Sequence, residues 1–151
     1  MSVATATVPL WFLDTLVVPL HSPTDDEPYA LLESVARPGN TVPRHRHDED
    51  EVFTVLEGEL TLTAGDETVV LGPLASHAAP RGVPHTYAVT ADTDTRWLVL
   101  TAPGRFDAFV RELSRPAEAP TLPPAPDGPP SAAEVEHLAA VAARHGIEIL
   151  G

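Results

Sequence analysis

The sequence predicts an all-β fold, a sandwich or barrel built from short strands. Its 151 residues include 17 prolines and 9 glycines, which divide the chain into short apolar runs. Such punctuation favours strands and turns over long helices. The length is that of one ordinary domain, and a hydrophobic content of 43% is sufficient for a core. Six to ten short strands at close spacing are typical of a sandwich or barrel.

The first two strands are predicted on either side of a polar loop. Residues 10–20 are rich in Leu, Val and aromatic side chains, which favours one strand. The segment HSPTDDEP at 21–28 follows as a turn or loop. Residues 29–37 fit either a strand or a short helix by pattern, and the Pro-Gly pair that ends them favours the strand.

Three short segments then follow one another between residues 51 and 72. They read EVFTVLEG, ELTLTAG and ETVVLG, with turn residues at Gly58 and at 64–66. In the second segment Leu60 and Leu62 alternate with threonines, the period of two that a half-buried strand requires. Three consecutive strands are therefore predicted.

A further hairpin is predicted near the end of the strand-rich part. PHTYAVT at 84–90 and RWLVLTA at 96–102 flank the polar segment ADTDT.

The last third of the sequence changes character. GRFDAFVRELS at 104–114 predicts an amphipathic helix, because apolar residues recur at offsets 0, 3, 4 and 7. Residues 115–130 contain seven prolines and predict an extended linker over the surface. Residues 131–146 predict a second helix, which begins with a capping box at Ser131 and Glu134.

Charge and composition limit the classes of function. The formal net charge is -13, from 22 acidic and 9 basic residues. Such a surface repels phosphate backbones and anionic lipid, so we expect neither nucleic acid nor membrane as a partner. Cysteine is absent, so any metal must be bound by His, Asp or Glu. The apolar N-terminus lacks a basic start, and we expect a soluble cytoplasmic domain.

The segment GNTVPRHRHDEDEVFTVLEG at 39–58 carries the main chemical signal. On a strand, His45 and His47 point to the same face, so their ring nitrogens can converge on one point. A bend over the next residues can bring Glu51 to the same point, and His85 at the start of a later strand offers a fourth ligand. Imidazoles with one carboxylate suit Fe, Mn, Co, Ni, Cu or Zn.

The spacing of this segment resembles the first motif of the cupin superfamily. Gly39, His45, His47, Glu51 and Gly58 stand at the positions of that motif.

The second cupin motif is matched in its inner part. Pro80, Gly82 and His85 fit the pattern Pro-x-Gly-x-x-His. The glycine that precedes the motif, Gly72, lies two residues further upstream than usual, and Val89 replaces the usual asparagine.

This resemblance covers about residues 28–102 and implies a cupin fold, a double-stranded β-helix or jelly-roll barrel with a C-terminal helical tail. It divides the chain into a barrel at 1–102 and a tail at 103–151, in which helix, proline-rich linker and terminal helix pack on the barrel. The tail can serve dimer contacts or close the barrel mouth, and we expect a homodimer.

The resemblance also implies a divalent transition metal held by His45, His47, Glu51 and His85. Strand parity then predicts which side chains line the barrel interior beside the metal, because alternate residues share a face. These residues, which either contact a substrate or fill core, are Phe53, Val55, Tyr87 and Val89.

Several other residues have simpler interpretations. We interpret Asp48, Glu49 and Asp50 as a solvated turn and His77 as a loop histidine. The remaining histidines look peripheral, and the two tryptophans look like core. These residues are His21, His137, His145, Trp11 and Trp97.

The chain also resembles small microbial cupins similar to quercetin 2,3-dioxygenase, in its metal motif and in the segments RFDAFVREL and HLAAVAARHGIEILG. This resemblance implies a dioxygenase that acts on a flavonol-like or other enolic small molecule. Glu51 would take a proton from the enolic hydroxyl. Two alternatives stay open: a metal-dependent isomerase, cyclase or lyase that uses the same base, and a non-catalytic protein that binds a metal or small ligand.

Overall fold

The computed structural model describes residues 1–151 and contains twelve strands and two helices. The N-terminal strands are β1 (Leu10–Phe12), β2 (Thr15–His21) and β3 (Ala30–Ala36). The central strands are β4 (His45–Arg46), β5 (Asp50–Glu57), β6 (Leu60–Ala64), β7 (Glu67–Leu71), β8 (Ser76–Ala79), β9 (His85–Val89) and β10 (Thr95–Ala102). The C-terminal elements are α1 (Phe106–Leu113), β11 (Ser114–Pro116), α2 (Ala132–Arg144) and β12 (Glu148–Ile149).

The strands form two antiparallel sheets. The larger sheet has the order β11-β1-β2-β3-β10-β5-β8, and the smaller has the order β12-β4-β9-β6-β7. Along β3, β5 and β10, buried and more exposed residues alternate, so each strand turns one face to the core. The predicted all-β jelly-roll class is confirmed.

Two clusters of buried side chains make up the core. The first joins residues of both sheets: Ala36, Phe53, Val55, Leu60, Leu62, Leu71, Ala79, Val89, Trp97 and Val99. The second joins strands β2 and β3 to the C-terminal helices: Val17, Leu32, Phe109, Val110, Val141, Ala142 and Ile147. The tail therefore completes the core on one side of the larger sheet.

The strand predicted over residues 10–20 is in fact a hairpin. Leu13 lies between β1 and β2 with a φ of 54°, a conformation in which glycine is usual. The turn is formed by Leu13 and Asp14, and a single aspartate, although a common turn residue, was too weak a signal to divide an otherwise apolar segment.

The proline-rich segment follows the barrel surface as an extended chain, but its start is regular. Strand β11 extends the larger sheet by pairing with β1. Further along, the indole Nε1 of Trp11 donates to the carbonyl of Thr121 at 2.7 Å, and Pro123 accepts from the Arg37 guanidinium. Prediction from composition missed β11 because its pairing partner is about a hundred residues away.

The second helix begins as its capping box predicts. The backbone N–H of Glu134 donates to Ser131 Oγ at 3.2 Å, and the Ser131 N–H donates to the Glu134 carboxylate at 2.7 Å. Gly146, with a φ of 75°, follows the helix and turns the chain back towards the smaller sheet. Neither helix has the length and apolar character needed to cross a lipid bilayer.

Candidate metal centre

Two strands of the smaller sheet hold two of the predicted ligands side by side. His45 in β4 is the antiparallel partner of His85 in β9, and their ring centroids are 4.4 Å apart. His47 follows β4, with ring centroids 5.6 Å from His45 and 5.0 Å from His85. The two distant motifs therefore bring three imidazoles to one point.

Backbone contacts of the second motif fix it against the first. Gly82, with a φ of 75°, donates its N–H to the carbonyl of His47 at 2.8 Å. The N–H of Arg81 donates to Asp50 at 2.9 Å, and the guanidinium of Arg81 lies 3.1 Å from the same carboxylate. Position 82 favours glycine because a residue with a side chain seldom adopts a positive φ.

The carboxylate of Glu51 adjoins the three imidazoles. Its oxygens lie 3.6 Å from His47 Nε2 and 3.0 Å from His85 Nε2. One nitrogen from each histidine lies within 4.8 Å of the others. Glu51, His47 and His85 are 3%, 4% and 1% exposed, so the centre does not face bulk solvent.

Hydrogen bonds determine which ring nitrogens are free. The Nδ1 atoms of His45 and His85 lie 2.8 and 2.9 Å from the carbonyl oxygens of Pro43 and Val83. A carbonyl only accepts, so each Nδ1 carries a proton and each neutral ring presents a bare Nε2. This is the tautomer that binds a metal through Nε2.

Burial and mutual interaction shift the pKa values of the cluster. Burial, followed by the nearby His85, lowers the pKa of His45 to about 4. Burial acts to raise the pKa of Glu51, but the imidazoles of His47 and His85 outweigh it and lower that pKa to about 2. Burial acts to lower the pKa of His47, and the Glu51 carboxylate reverses this and raises it. At neutral pH the centre therefore contains an ionised carboxylate and an uncharged His45.

The cluster fits a divalent transition ion. Both nitrogens of His47 and Nε2 of His85 are buried without a hydrogen-bond partner, which is costly unless something else binds them. An ion contacts imidazole nitrogen at about 2.1 Å, so ligating nitrogens lie at most about 4.2 Å apart. The three nitrogens lie within 4.8 Å of one another, close to that limit. Imidazole and carboxylate donors accept several metals, so the site does not select one of them.

One apolar cavity begins at this centre and extends between the larger sheet and the helices. Its volume is about 100 Å³. His45 and Glu51 form its polar end. Its aromatic lining consists of Phe12, Phe53, Tyr87, Trp97, Phe106 and Phe109.

The predicted pocket residues divide into two groups. Phe53 and Tyr87 line the cavity, whereas Val55 and Val89 belong to the closed core and are 0% and 3% exposed. Val55 and Val89 therefore fill core, one of the two roles expected for them, and substrate contact stays a prediction for Phe53 and Tyr87. Parity identified the inward face correctly, but these two residues lie further from the metal, where the sheets close on each other.

Sequence reasoning missed the part of the cavity that the helices supply. Phe106 and Phe109 of α1 and Leu138 of α2 form one wall of it. The sequence predicted the apolar face of α1 but not the surface against which this face packs.

The acidic run is not a solvated turn throughout. Glu49 is only 2% exposed, and its carboxylate accepts the N–H of Phe106, the first residue of α1, at 3.0 Å. Arg105 donates to the carbonyl of Asp48 at 3.1 Å. Burial raises the pKa of Glu49, whereas the Phe106 N–H and the nearby His47 lower it. The run therefore anchors the start of α1 beside the metal ligands.

The other histidines lie outside the cluster. His77 is in β8 rather than in a loop, and its Nε2 lies 3.7 Å from Glu67. His145 follows α2 and contacts the carboxylate of Glu112. Both tryptophans are buried, as predicted, and Trp97 also lines the cavity.

Comparisons with known proteins agree with this architecture. Residues 33–101 match the Cupin_2 family, described as a cupin domain. The chain is 32% identical over 73 residues to the HTH-type transcriptional regulator PuuR of Escherichia coli K12. That match covers 48% of the chain and only 40% of the regulator.

Two solved structures are similar over 60% and 67% of the chain. TT1209 from Thermus thermophilus is 28% identical with a TM-score of 0.55, over 60% of this chain and 85% of that one. The polyketide cyclase RemF from Streptomyces resistomycificus is 24% identical with a TM-score of 0.54, over 67% and 78% of the two chains. The second likeness shows the fold alone. Residues 33–101 of the chain therefore form a cupin domain.

Proposed function

We propose that the protein is a metal-dependent dioxygenase that cleaves an enolic aromatic small molecule. One observation carries this proposal: the ionised, buried carboxylate of Glu51 and three converging imidazoles stand at the end of an apolar, aromatic cavity. In this proposal His45, His47, His85 and Glu51 hold the metal, and the proton acceptor is Glu51. The resemblance to quercetin 2,3-dioxygenase-like cupins favours the same reaction.

The lining of the cavity supports the substrate class. The chain has eight aromatic residues, four Phe, two Trp and two Tyr, and six of them line this cavity. Aromatic walls favour a flat aromatic ligand through stacked and edge-to-face contacts. An enolic hydroxyl on such a ligand would meet Glu51, which is the acidic residue of the cavity lining.

The residues of the centre have separate tasks in this proposal. Glu51 accepts the proton of the enolic hydroxyl, and its position beside two imidazoles keeps it ionised for this role. The carbonyls of Pro43 and Val83 hold the rings of His45 and His85 in orientation. The apolar walls exclude water from the reacting carbon skeleton. A redox-active divalent ion, when bound, supplies Lewis-acid activation and the dioxygen chemistry.

The size of the cavity adds a structural requirement. Its volume is about 100 Å³, whereas an engineered apolar cavity that binds benzene has about 150 Å³. A flavonol-sized ligand therefore needs its walls to separate. The helices α1 and α2 form one wall, so their outward movement is the simplest way to admit such a ligand.

The test is oxygen uptake by Fe²⁺-, Mn²⁺- or Ni²⁺-loaded protein with 3-hydroxyflavone. Glu51→Gln is expected to lower turnover by about 100-fold or more, the usual contribution of a positioned base. Glu57→Gln is the matched control, because Glu57 ends the same strand with its side chain 71% exposed. Metal content of both variants separates loss of the base from loss of the ion.

Two results would redirect the assignment. Conversion of the flavonol or another enolic ligand without oxygen uptake would indicate an isomerase, cyclase or lyase with the same base. Equal oxygen uptake by the Glu51→Gln and Glu57→Gln proteins would remove Glu51 from the reaction.

A second candidate is a non-catalytic ligand-binding cupin. The relative PuuR is named a transcriptional regulator, and its similarity to this chain lies within 73 residues. Tight binding of a flavonol by every metal form without turnover would favour this candidate. The metal centre and the cavity would then serve recognition alone.

A further inference from the structure

Two hydroxyl side chains occupy positions where the core would accept apolar ones. The inward face of β3 carries Ala30, Leu32, Ser34 and Ala36, all buried. Ser34 is the one polar residue of that row and is 7% exposed. On the neighbouring strand, Thr15 is also buried, at 6%, and both residues line the cavity.

Both hydroxyls are open to the cavity. Thr15 and Ser34 line it, and neither oxygen is among the fully buried atoms that lack a partner, so each is accessible from the cavity interior. A hydroxyl at such a position can exchange a hydrogen bond with water for one with a bound ligand, a net gain of about 0.5–1.5 kcal/mol. Around them the cavity is lined by apolar side chains such as Phe12, Val17 and Leu32, which offer no acceptor.

The two hydroxyls lie at the end of the cavity away from the metal ligands. Strand β10 lies between β3 and β5 and relates the two positions. Ser34 of β3 pairs with Trp97 of β10, and Glu51 of β5 pairs with Thr101, four residues further along β10. Four residues of strand correspond to about 13 Å, and the two strand spacings between β3 and β5 add about 10 Å across. The backbones at Ser34 and Glu51 are therefore roughly 16 Å apart.

Strand pairing also places Thr15 close to Ser34. Val17 is the partner of Ser34 across the β2–β3 pair, and Thr15 is two residues before Val17 on the same strand. Diagonal neighbours of this kind are about 7–8 Å apart at the backbone, which is within reach of one ligand group.

We propose that Thr15 and Ser34 form a second polar subsite, which hydrogen-bonds an oxygen at the far end of an elongated aromatic ligand. The inference rests on the proposed function and names its substrate class more closely. The ligand carries its enolic oxygen at the Glu51 end and a phenolic hydroxyl at the opposite end. Hydroxyl groups both donate and accept, so Thr15 and Ser34 can pair with that phenol in either sense.

The test compares two ligands that differ in one hydroxyl. The probes are 3,4′-dihydroxyflavone, which has the distal phenol, and 3-hydroxyflavone, which lacks it. Binding is measured by calorimetry with Zn²⁺-loaded protein, because Zn²⁺ has no redox chemistry and the ligands stay intact. The wild-type protein is expected to bind the dihydroxy compound about five- to tenfold more tightly, the usual effect of one net hydrogen bond.

The variants Ser34→Ala and Thr15→Val remove the two hydroxyls with little change of shape. Each is expected to reduce the ratio of the affinities for the dihydroxy compound and for 3-hydroxyflavone, and the double variant is expected to bring that ratio to about one. Thr63→Val is the matched control, because the Thr63 hydroxyl pairs with Thr68 on an exposed surface. This control is expected to keep the full preference.

The proposal is overturned if the wild type binds neither flavone, if it binds both equally, or if the double variant keeps the preference. Binding of neither flavone counts against both proposals, whereas the other two outcomes are separate from a failure of the oxygenase assignment. Preference without oxygen uptake supports the subsite and rejects the oxygenase. Turnover of both flavones without preference keeps the oxygenase and rejects the subsite.

Discussion

At the scale of single residues, the candidate centre could be predicted because its donors carry their chemistry in their identity. His45, His47, Glu51 and His85 were singled out from residue type and spacing, and the structure brings all four together. Residue spacing could not predict the tautomer of each imidazole ring. The protons on Nδ1 of His45 and His85 follow from the carbonyls of Pro43 and Val83, which only the fold positions.

Replacing His85 is expected to weaken metal binding strongly. His85→Gln removes a buried imidazole of the proposed ligand set and leaves His45, His47 and Glu51 in place. Loss of one of four ligands is expected to lower affinity by more than the 10- to 100-fold typical of outer partners. Metal content and competition with a chromogenic chelator measure this.

The matched control for this prediction is His77→Gln. His77 is a strand histidine outside the cluster, beside Glu67. The control protein is expected to retain wild-type metal content. Equal metal content in the His85 and His77 variants would show that the ion binds elsewhere.

A glycine of the first motif has a steric role that the structure makes visible. Gly58 has a φ of 87°, and a Cβ at this position would lie 2.9 Å from the backbone Cα of Thr95. Gly58→Ala is therefore expected to destabilise the fold by about 2–4 kcal/mol, from backbone strain and overpacking together. Urea denaturation followed by circular dichroism measures the change.

Gly72→Ala is the control for this prediction. Gly72 has no positive φ, and a Cβ there would meet nothing within 4 Å. The free energy of unfolding is expected to differ from that of the wild type by at most about 0.5–1 kcal/mol, in either direction. A Gly58→Ala protein as stable as the Gly72→Ala protein would contradict the steric account.

At the scale of elements, local signals predicted better than distant partners. The capping box of α2 and the alternation in β6 involve neighbours in sequence, so the sequence alone located both elements. Strand β11 and the burial of Glu49 depend on partners far along the chain. An acidic run is expected to be solvated, but here Glu49 accepts a hydrogen bond from the first residue of a helix that lies 57 residues further along the chain.

Removing the carboxylate of Glu49 is expected to loosen α1. Glu49→Ala leaves the Phe106 N–H without its buried acceptor and removes a negative charge from the helix N-terminus. The expected loss of stability is about 1–3 kcal/mol. Faster amide hydrogen exchange in residues 106–113 should accompany it, because the anchored turn is the first of the helix.

Glu49→Gln tests the same contact with its acceptor retained. The amide oxygen can still accept the Phe106 N–H, so this variant is expected to lose less stability and less exchange protection than Glu49→Ala. If the two variants exchange α1 amides equally fast, the helix is held by its apolar face alone.

At the scale of the whole molecule, the tail is part of the barrel and not an appendage to it. Strand β11 extends the larger sheet, β12 extends the smaller, and the helices complete the second core cluster. The cavity consequently has walls from both the strand-rich part and the tail. The sequence predicted that the tail packs on the barrel but not where on it, because apolar helical faces do not specify which surface they cover.

Strand β12 pairs with β4, the strand that carries the predicted metal ligand His45. Ile149 pairs with His45 in the smaller sheet, and the N–H of Leu150 donates to the carbonyl of Arg44 at 2.8 Å. Deleting residues 148–151 keeps the buried Ile147 but frees the edge of β4. Because orientation of a ligand by its surroundings contributes to affinity, metal binding is expected to weaken about tenfold.

Glu148→Gln distinguishes the effect of the β12 backbone pairing from that of the ion pair between Glu148 and Arg46. Its wild-type carboxylate lies 2.7 Å from the Arg46 guanidinium, an exposed contact that contributes at most about 1 kcal/mol. This variant is expected to retain wild-type metal affinity and thermal stability, since the backbone pairing of β12 with β4 persists. If the deleted protein binds metal as tightly as the Glu148→Gln protein, strand β4 holds His45 without β12, and the last residues of the chain have no part in forming the centre.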